Sequence, residues 1–477
     1  MNITNDYLEF EKEHNLLELE YRGVYFWYLI RQTLTKDLFF GKDSNFHPDF
    51  LAGTKNERRK YIKHIPGQIK QFFDRKQYDI LISCVNIERM IQGKLANPHT
   101  YFFEEYDFSI KHNTLFTDRW PDKAPEGTNS ALMRALLFLY SKYHSVLWKF
   151  KKDEKNQINH YLTMFEERFS CSISHDKYMA LIDNVVCSFK LMKWYYLRMI
   201  NNKYRAIFIS DSHCIEHYSL IAAARQCKIP TIEYQHGVIG LGDVKYNFLS
   251  CRETGNYFPD YLFTYGEFWD SVCSLPEKAQ AIAVGSPLFD NSKKEYAHNI
   301  MDDKVVVYIS TGFIGADLSK HAISFARLTE SLGYRIIYKF HPSECKTWRQ
   351  RYPWLAKAEA ELNHIECIDQ PVNIYEVLSR AKHVVSVAST VIFEAISFGC
   401  KIYIWDKEEL KDSFGDIYEE IVNRGYVDLF ETENELLSCI KSKVKNDVSE
   451  IGGRFYKSGS SANIRRELTL LTKDDYE

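Results

Sequence analysis

Most of the short motifs that are typical of metal-binding or cofactor-binding proteins are absent from this sequence. No GxxxxGK[ST] segment occurs, which excludes a P-loop NTPase, and no GxGxxG follows the first predicted strand, which disfavours a nicotinamide dehydrogenase. There is also no HExxH, no CxxC pair and no Asp-x-Asp at a predicted strand end. We therefore expect a reaction that needs neither a bound metal nor an organic cofactor.

Excess charge of one sign and long apolar runs are scarce as well. The 477 residues carry a formal net charge of -3, which disfavours a dedicated nucleic-acid binder. No apolar run reaches about 18 residues, so we expect no membrane-spanning helix. The first residues lack the basic-then-apolar order of a signal peptide, and the 11 cysteines are scattered singly, as in reduced proteins. Together these features predict a cytoplasmic protein.

Short β-branched runs alternate with helical patterns over much of the chain. In the first half, strands are predicted at 78–84, 112–117, 205–210, 230–235, 260–266 and 281–287, and in the second half at 304–311, 335–341, 364–368, 383–389 and 401–406. Such alternation predicts parallel sheets covered by helices. Glycine and proline are almost absent from about 130 to 202, which indicates helices there.

The predicted fold class is therefore α/β, with two Rossmann-like domains facing a cleft. We predict an N-terminal domain over 1–290, with a helical insertion at about 118–202, and a C-terminal domain over 291–477. The boundary is placed in the polar, unpatterned stretch 288–304. In open α/β sheets ligands lie beyond the carboxyl ends of the strands, so the loops at those ends are the candidate sites.

Two strand ends in the second half carry polar residues suited to a phosphate. His341 ends the strand in KFHPSE (339–344), where the following proline favours extended geometry and the imidazole can donate to a phosphate oxygen. In VASTVIFEAISFGCK (387–401), Ser389 and Thr390 open a helix, where hydroxyls act either as caps or as part of an anion site. Glu394, one turn later, is placed to take the two hydroxyls of a ribose.

These two segments, over roughly 304–406, resemble the HP and serine-rich motifs of GT-B glycosyltransferases. Bacterial polysialyltransferases, capsular Kdo transferases and CDP-glycerol glycerophosphotransferases share this arrangement, and UDP-N-acetylglucosamine 2-epimerases show it too. The resemblance implies a nucleotide-linked donor whose phosphate contacts His341, Ser389 and Thr390. It therefore implies that 291–477 is the nucleotide-donor domain and 1–290 the acceptor domain. The full predicted donor set is Ser310, Thr311, Gly312, Lys339, His341, Pro342, Ser389, Thr390 and Glu394.

The first half offers three candidates for the chemistry. His236 follows a predicted strand in IPTIEYQHGVIGLGDVKYNF (229–248), a stretch whose His-Gly turn is similar to one in the glycerophosphotransferases. His236 is a candidate general base or leaving-phosphate contact, or else a structural turn histidine. Asp211 ends another strand and is the alternative base or a helix cap, and Glu267 follows a third strand, where it could face the acceptor.

The resemblance implies a metal-independent transferase that moves a sugar from a nucleotide-linked donor to a bacterial surface glycan, such as capsule or O-antigen. Three alternatives remain: a CDP-glycerol-type glycerophosphotransferase, a sugar-nucleotide epimerase or hydrolase with paired carboxylates (Asp211 and Glu267), and a non-catalytic nucleotide-sugar-binding scaffold. The expected partners are the donor and a glycan or lipid-linked glycan acceptor, with no nucleic acid. Basic aromatic stretches at 54–76, 136–155 and 189–200 suit either a peripheral membrane contact or ordinary solvated helix faces.

Overall fold

The structure is a computed structural model, and it describes most of the chain. The described residues are 3–40, 65–66, 69, 73, 75–85, 89–91, 93–115, 132–133, 136–137, 151–240, 242–249, 257–311, 314–341, 343–370, 372–387, 389–406, 421–442 and 449–473.

Sixteen strands are described within these ranges. Twelve of them form two six-stranded sheets, and four form two small hairpins. In chain order the strands are β1 Glu20–Tyr21, β2 Val24–Tyr25, β3 Tyr78–Val85, β4 Arg89–Ile91, β5 Lys94–Ala96, β6 Ile110–Leu115, β7 Tyr204–Ile209, β8 Thr231–Tyr234, β9 Tyr261–Thr264, β10 Gln280–Ala283, β11 Asp302–Ile309, β12 Arg335–Lys339, β13 Ile365–Ile368, β14 Ala381–Ser386, β15 Lys401–Trp405 and β16 Val427–Phe430.

Helices connect and cover these strands. The described α-helices are α1 Ile3–Glu13, α2 Phe26–Phe40, α3 Lys152–Phe169, α4 His175–Ile200, α5 Ile215–Gln226, α6 Glu267–Asp270, α7 Pro287–Glu295, α8 Gly315–Thr329, α9 Trp348–Arg351, α10 Pro353–Glu361, α11 Ile374–Leu378, α12 Val391–Phe398, α13 Glu433–Lys441, α14 Ser449–Phe455 and α15 Ser460–Thr472.

Both large sheets are parallel throughout. The N-terminal sheet has the order β10-β9-β8-β7-β3-β6, and the C-terminal sheet has the order β13-β12-β11-β14-β15-β16. All strand-bearing segments predicted from the sequence contain a strand of these sheets, and β16 is an addition at the edge of the second. The predicted α/β class, with two Rossmann-like parallel sheets and flanking helices, is confirmed.

The strands read as continuous apolar runs because both faces of each sheet are covered. In β3, Ile80 and Ile82 pack in one core while Leu81 between them packs in another, and all three are fully buried. The two-residue alternation of side chains sends neighbours to opposite faces, so a strand covered on both sides needs apolar residues at every position.

The two halves are joined by an aromatic cluster. Phe268 and Trp269 of α6, at the end of β9, pack against Phe393 of α12, and the ring centroids of Trp269 and Phe393 are 4.7 Å apart. Phe455 of α14 completes the cluster and accepts a 2.9 Å hydrogen bond from Trp269 Nε1 at its carbonyl oxygen. Because the carboxyl end of β9 is thus tied to α12, the strand ends of the two sheets lie near one another.

The C-terminal helix crosses back to the N-terminal sheet. Ile464 and Leu468 of α15 lie in the same core as strands β3 and β7. Asp290 of α7 accepts hydrogen bonds from both the backbone N–H and the hydroxyl of Ser460, at 2.8 and 2.6 Å. The chain passes from one sheet to the other between Ala283 and Asp302, but the domain bounds 1–290 and 291–477 remain predictions.

Two of the segment assignments made from the sequence need comment. The stretch 288–304 was expected to be an unpatterned linker, yet it contains most of α7, which Ser286 caps and whose first residue is Pro287. Of the helical insertion predicted at about 118–202, the described part from Lys152 onward does form two helices, α3 and α4. Across the described ranges no helix is both long and apolar enough to cross a bilayer.

Gly285 is expected to tolerate no side chain. Its φ is +93°, and a Cβ placed on it would collide with the Lys457 carbonyl oxygen and lie 2.7 Å from Ser460 Cβ. Gly285→Ala should lower the free energy of unfolding by roughly 2–5 kcal/mol, the sum of left-handed strain and crowding. Gly459→Ala is the matched control, since its φ is +74° with nothing within 4 Å.

Urea denaturation of both variants separates the two causes. Gly459→Ala should lose only the backbone term, about 1–2 kcal/mol. Equal losses in the two variants would show that the loop after β10 does not pack tightly on the C-terminal segment.

Candidate functional site

The first part of the candidate site forms where β7 and β8 end. These strands are neighbours in the N-terminal sheet, and Ile209 is in register with Glu233. The chain leaves β7 through Asp211, Ser212 and His213, and it leaves β8 through Gln235 and His236. Because parallel strands end at the same sheet edge, these polar residues converge there.

His236 lies between two carboxylates. Its Nε2 is 3.9 Å from Asp211 Oδ2, and its Nδ1 is 3.9 Å from Glu233 Oε1. The His236 and Asp211 side chains are 29% and 38% exposed, so both reach the surface of the cleft, while Glu233 lies wholly inside. Burial lowers the pKa of His236, and the nearby Asp211 carboxylate opposes that change. A largely neutral imidazole next to a carboxylate can accept a proton.

Glu233 is a buried carboxylate in the middle of a strand. Ser212 Oγ donates to its Oε2 at 2.5 Å, and the Tyr246 hydroxyl donates to its Oε1 at 2.8 Å. Burial, together with the nearby charge of Asp211, raises the pKa of Glu233 to about 7. These two donors fix the carboxylate in place, since a buried charged group requires hydrogen bonds.

His213 lies beside Glu233, and neither of its ring nitrogens has a hydrogen-bond partner in the part of the chain that the structure describes. Its side chain is 3% exposed, and Nε2 is 3.5 Å from Glu233 Oε1, which is beyond normal hydrogen-bond length. Burial and the positive charge of Lys245 lower its pKa strongly. A buried imidazole with both nitrogens unsatisfied is uncommon and points to a ligand or a functional role.

Asp211 is the charged member of the group. Burial alone would raise its pKa, but His236 and His213 outweigh that effect and hold the pKa below its usual value. Asp211 also accepts a 3.0 Å hydrogen bond from the His213 backbone N–H, and its own carbonyl oxygen bonds the ring of His217. The carboxylate is therefore ionised over the whole physiological range.

The loop that follows His236 is fixed by the N-terminal helices. Asn247 donates from its amide to the carbonyls of Gly240 and Asp243, at 2.7 and 2.8 Å. Its own carbonyl accepts a 2.9 Å bond from Arg31 of α2, and Arg31 in turn pairs with Glu11 of α1. The helices α1 and α2 thus hold one wall of the site.

The second part of the candidate site lies at the ends of β11, β12 and β14. His341 follows β12 and is exposed. Its Nδ1 accepts the Ser343 backbone N–H at 3.2 Å, so the neutral ring carries its proton on Nε2. The His341 backbone N–H bonds to Glu344, a fully buried carboxylate, at 2.9 Å. This turn presents Nε2–H outward as a donor.

Two hydroxyls at the end of β11 differ in their bonding. Ser310 accepts a 3.2 Å bond from the Tyr338 hydroxyl, whereas the buried hydroxyl of Thr311 has no hydrogen-bond partner among the described residues. Lys339 is 9% exposed and donates to the Phe340 carbonyl at 3.1 Å, and burial lowers its pKa. Gly312 and Pro342, also predicted to bind the donor, lie outside the described residues.

The start of α12 shows the capping predicted as one of two roles. Ser389 Oγ accepts the Val391 backbone N–H at 3.2 Å, while Thr390 is exposed and its hydroxyl makes no hydrogen bond to a described residue. Glu394, one turn on, accepts the Tyr375 hydroxyl at 2.9 Å. Capping leaves room for an anion, because a helix N-terminus carries partial positive charge whether or not one N–H is capped.

The two parts of the site face each other across the cleft. A Cβ built on Gly237, the residue after His236, would lie 4.0 Å from Thr390 Cγ2 at the start of α12. The turn after β8 and the helix after β14 are therefore in near contact, although they belong to different sheets.

No family model and no curated protein matches the chain. Among solved structures, UDP-GlcNAc 2-epimerase from Methanocaldococcus jannaschii is 13% identical, with a TM-score of 0.45, covering 83% of this chain and 99% of that one. The epimerase from Neisseria meningitidis is 12% identical, with a TM-score of 0.43, over 83% and 100% of the two chains. The wall teichoic acid polymerase TagF is 10% identical, with a TM-score of 0.46, over 88% and 98%.

The structure brings only some of the predicted catalytic residues together. His236 and Asp211 come together, whereas Glu267 is exposed at the start of α6 and makes no ion pair or hydrogen bond with either of them in the described structure. Glu233 and His213 were not singled out from the sequence. The signal for Glu233 was present, since it is the one charged residue in the otherwise uncharged segment PTIEYQ (230–235), where only a satisfied carboxylate can be buried.

Proposed function

We propose that the chain is a GT-B glycosyltransferase that moves a sugar from a nucleotide-linked donor to a bacterial surface glycan. The observation that carries this proposal is the near contact of the His236–Gly237 turn with Thr390, 4.0 Å from a Cβ on Gly237. A donor held at the second sheet would place its sugar beside an acid–base group on the first. The motif resemblance of residues 304–406 supports the same donor class.

Donor phosphate binds between three groups of the second sheet. The outward Nε2–H of His341 and the N-terminus of α12 supply donors and positive potential, and the unsatisfied Thr311 hydroxyl is a further donor. Glu394 takes the hydroxyls of the nucleoside ribose. Stabilisation of the leaving phosphate thus comes from side chains and a helix dipole, and the transfer step uses no metal.

The acceptor hydroxyl is activated at the first sheet. His236 or Asp211 takes its proton as the acceptor oxygen bonds to the anomeric carbon, and the bond from that carbon to the donor phosphate breaks, releasing the nucleotide. The 3.9 Å separation of His236 and Asp211 lets the carboxylate stabilise the protonated imidazole. The acceptor is a glycan or a lipid-linked glycan on the cytoplasmic side of the membrane.

Of the three basic aromatic stretches, 189–200 lies in α4. Its Trp194 side chain is 48% exposed, while Phe189, Met192 and Tyr195 are buried.

The best second candidate is a sugar-nucleotide epimerase or hydrolase. That class needs paired carboxylates in the cleft, and Asp211 lies beside Glu233, one ligand atom of each being within 4.8 Å of the other. The sequence suggested Asp211 and Glu267 as the two carboxylates, whereas the described structure brings Glu233 beside Asp211. Epimerisation or hydrolysis proceeds without an acceptor glycan, so nuclear magnetic resonance of a nucleotide sugar incubated with the protein alone distinguishes it from transfer.

The two remaining alternatives make different predictions. A glycerophosphotransferase should be stabilised selectively by CDP, and a non-catalytic scaffold should bind the nucleotide sugar without turning it over.

A thermal-shift experiment tests the donor site. The purified protein is screened against CMP, CDP, UDP and GDP, and we expect one nucleotide to raise the melting temperature by a few degrees when present far above its Kd. His341→Ala should remove that shift, because the ring supplies a phosphate donor and is too exposed to be needed for folding.

His298→Ala is the matched control, since His298 is an exposed histidine in the segment between the two sheets. It should retain the full shift. A shift that survives in His341→Ala, or no shift with any nucleotide, would contradict the placement of the donor phosphate.

A further inference from the structure

We propose that the cluster at the ends of β7 and β8 is a binding site for a divalent transition-metal ion of the zinc type. One ligand atom from each of Asp211, Glu233 and His236 lies within 4.8 Å of the other two. His213, with two unpartnered ring nitrogens, is next to them, 3.5 Å from Glu233. Two carboxylates and two imidazoles form a ligand set that zinc accepts.

The burial pattern fits a site in which Glu233 and His213 are fixed while Asp211 and His236 are adjustable. Zinc ligands lie about 2.0–2.2 Å from the ion, so neighbouring ligand atoms are about 3.3 Å apart in a tetrahedral site. Glu233 and His213 are already 3.5 Å apart, and both are held inside the protein. Asp211 and His236 are partly exposed and can close the remaining distance by side-chain rotation.

The surroundings of Glu233 resemble the outer shell of a metal site. Ser212 and Tyr246 donate to its two oxygens and set the carboxylate's orientation. Such outer hydrogen bonds are typical of carboxylates that ligate metals. Lys245 is the nearby positive charge that opposes a cation, and it is paired with Asp243 at 3.2 Å.

The imidazole nitrogens in the proposed ligand set determine which class of metal ion the site accepts. Magnesium and calcium prefer an all-oxygen shell, whereas zinc and cobalt accept nitrogen and oxygen together. The sequence also contains His-x-x-Glu-His at 213–217, a spacing known from zinc enzymes. Here that spacing does not form the site, because His217 is bonded through one ring nitrogen to Ser83 and through the other to the Asp211 carbonyl. The ligands come instead from two adjacent strand ends.

A bound ion would change the chemistry of the cleft. Asp211 and His236 would use their lone pairs on the metal, so those lone pairs would no longer be available to an acceptor hydroxyl, and the ion would inhibit transfer. This consequence rests on the proposed function, whereas the binding itself does not.

Direct metal titration tests the site without any activity assay. The protein is stripped with a chelator, and Zn²⁺ affinity is measured by competition with a chromophoric chelator. We expect one zinc ion per chain, weakened at least about tenfold in His236→Ala and in Glu233→Gln. His298→Ala should bind zinc as the unmodified chain does. Glu233→Gln keeps the shape of the buried side chain, and circular dichroism shows whether each variant is folded.

Cobalt distinguishes binding at this cluster from binding at a cysteine thiolate, which is also a zinc ligand in proteins. Co²⁺ at nitrogen and oxygen ligands gives visible bands without the near-ultraviolet thiolate charge-transfer band. We expect the visible bands alone, and their loss in His236→Ala. A thiolate band, or equal zinc affinity in the unmodified chain and both cluster variants, would overturn the proposal.

Discussion

Replacing Asp211 by asparagine should lower the rate of nucleotide release from the donor by about 10²–10⁴-fold. The variant keeps the size of the side chain but loses the charge 3.9 Å from His236 Nε2, and with it either the base or the group that stabilises the protonated base. Turnover is measured as nucleotide released from the nucleotide sugar whose nucleotide stabilises the chain. Thermal stabilisation by that nucleotide should persist, because the donor phosphate is bound at the other sheet.

Asp107→Asn is the matched control for the loss of one carboxylate. Asp107 is exposed in the segment that leads into β6, at the edge of the N-terminal sheet opposite the strand ends that carry Asp211 and His236. Its turnover should equal that of the unmodified chain. Full activity in Asp211→Asn would exclude this carboxylate from the reaction and leave His236 to act alone.

Replacing Arg31 by methionine should lower the free energy of unfolding by about 3–5 kcal/mol, the usual cost of leaving one partner of a buried ion pair alone. Arg31 and Glu11 are 3% and 2% exposed and 2.6 Å apart. Burial already raises the pKa of Glu11 despite the attraction of Arg31. When the guanidinium is lost, either the Glu11 carboxylate takes up a proton or the protein unfolds. Urea denaturation measures the change.

Two comparisons isolate the cause of that loss. The double variant Glu11→Leu with Arg31→Met should recover much of the stability, because no buried charge is left unpaired. Arg335→Met breaks a surface pair with Glu366, both side chains being about half exposed, and should cost less than about 1 kcal/mol. If Arg31→Met and Arg335→Met cost the same, the N-terminal helices are not anchored through this pair.

Arg31 also connects the buried ion pair of the N-terminal helices to the loop that follows His236 in the candidate site. Its guanidinium donates to the Asn247 carbonyl at 2.9 Å, and Asn247 holds the loop after His236 through Gly240 and Asp243. Arg31→Met should therefore loosen the wall of the acceptor half as well as the helices. The amides of 242–249 should exchange with deuterium faster in the variant than in the unmodified chain.

The sequence was most informative where local pattern determines structure. A strand covered on both faces is apolar throughout, so β3, β7, β11 and β14 were recognisable, and the helix of 390–399 ends at Gly399, which has a φ of +90°. His236 and Asp211 could be placed at one edge because their strands are parallel and their order follows from the chain. Their separation could not be predicted, since it depends on sheet register.

The rest depends on contacts between distant parts of the chain. Glu233 becomes a site residue only because Tyr246 and Ser212 reach it from two loops. The approach of Gly237 to Thr390 joins residues more than 150 positions apart, and nothing in either segment encodes it. The return of α15 to the first sheet likewise follows from the burial of Ile464 and Leu468 against β3 and β7, not from local propensity.

The most direct test of the central claim is a crystal structure of the protein with the nucleotide sugar that stabilises it. The account predicts phosphate oxygens within hydrogen-bond distance of His341 Nε2 and of the start of α12, with the sugar facing His236 and Asp211. A donor bound elsewhere, or one whose sugar points away from the ends of β7 and β8, would contradict the claim that the two sheets share one active site.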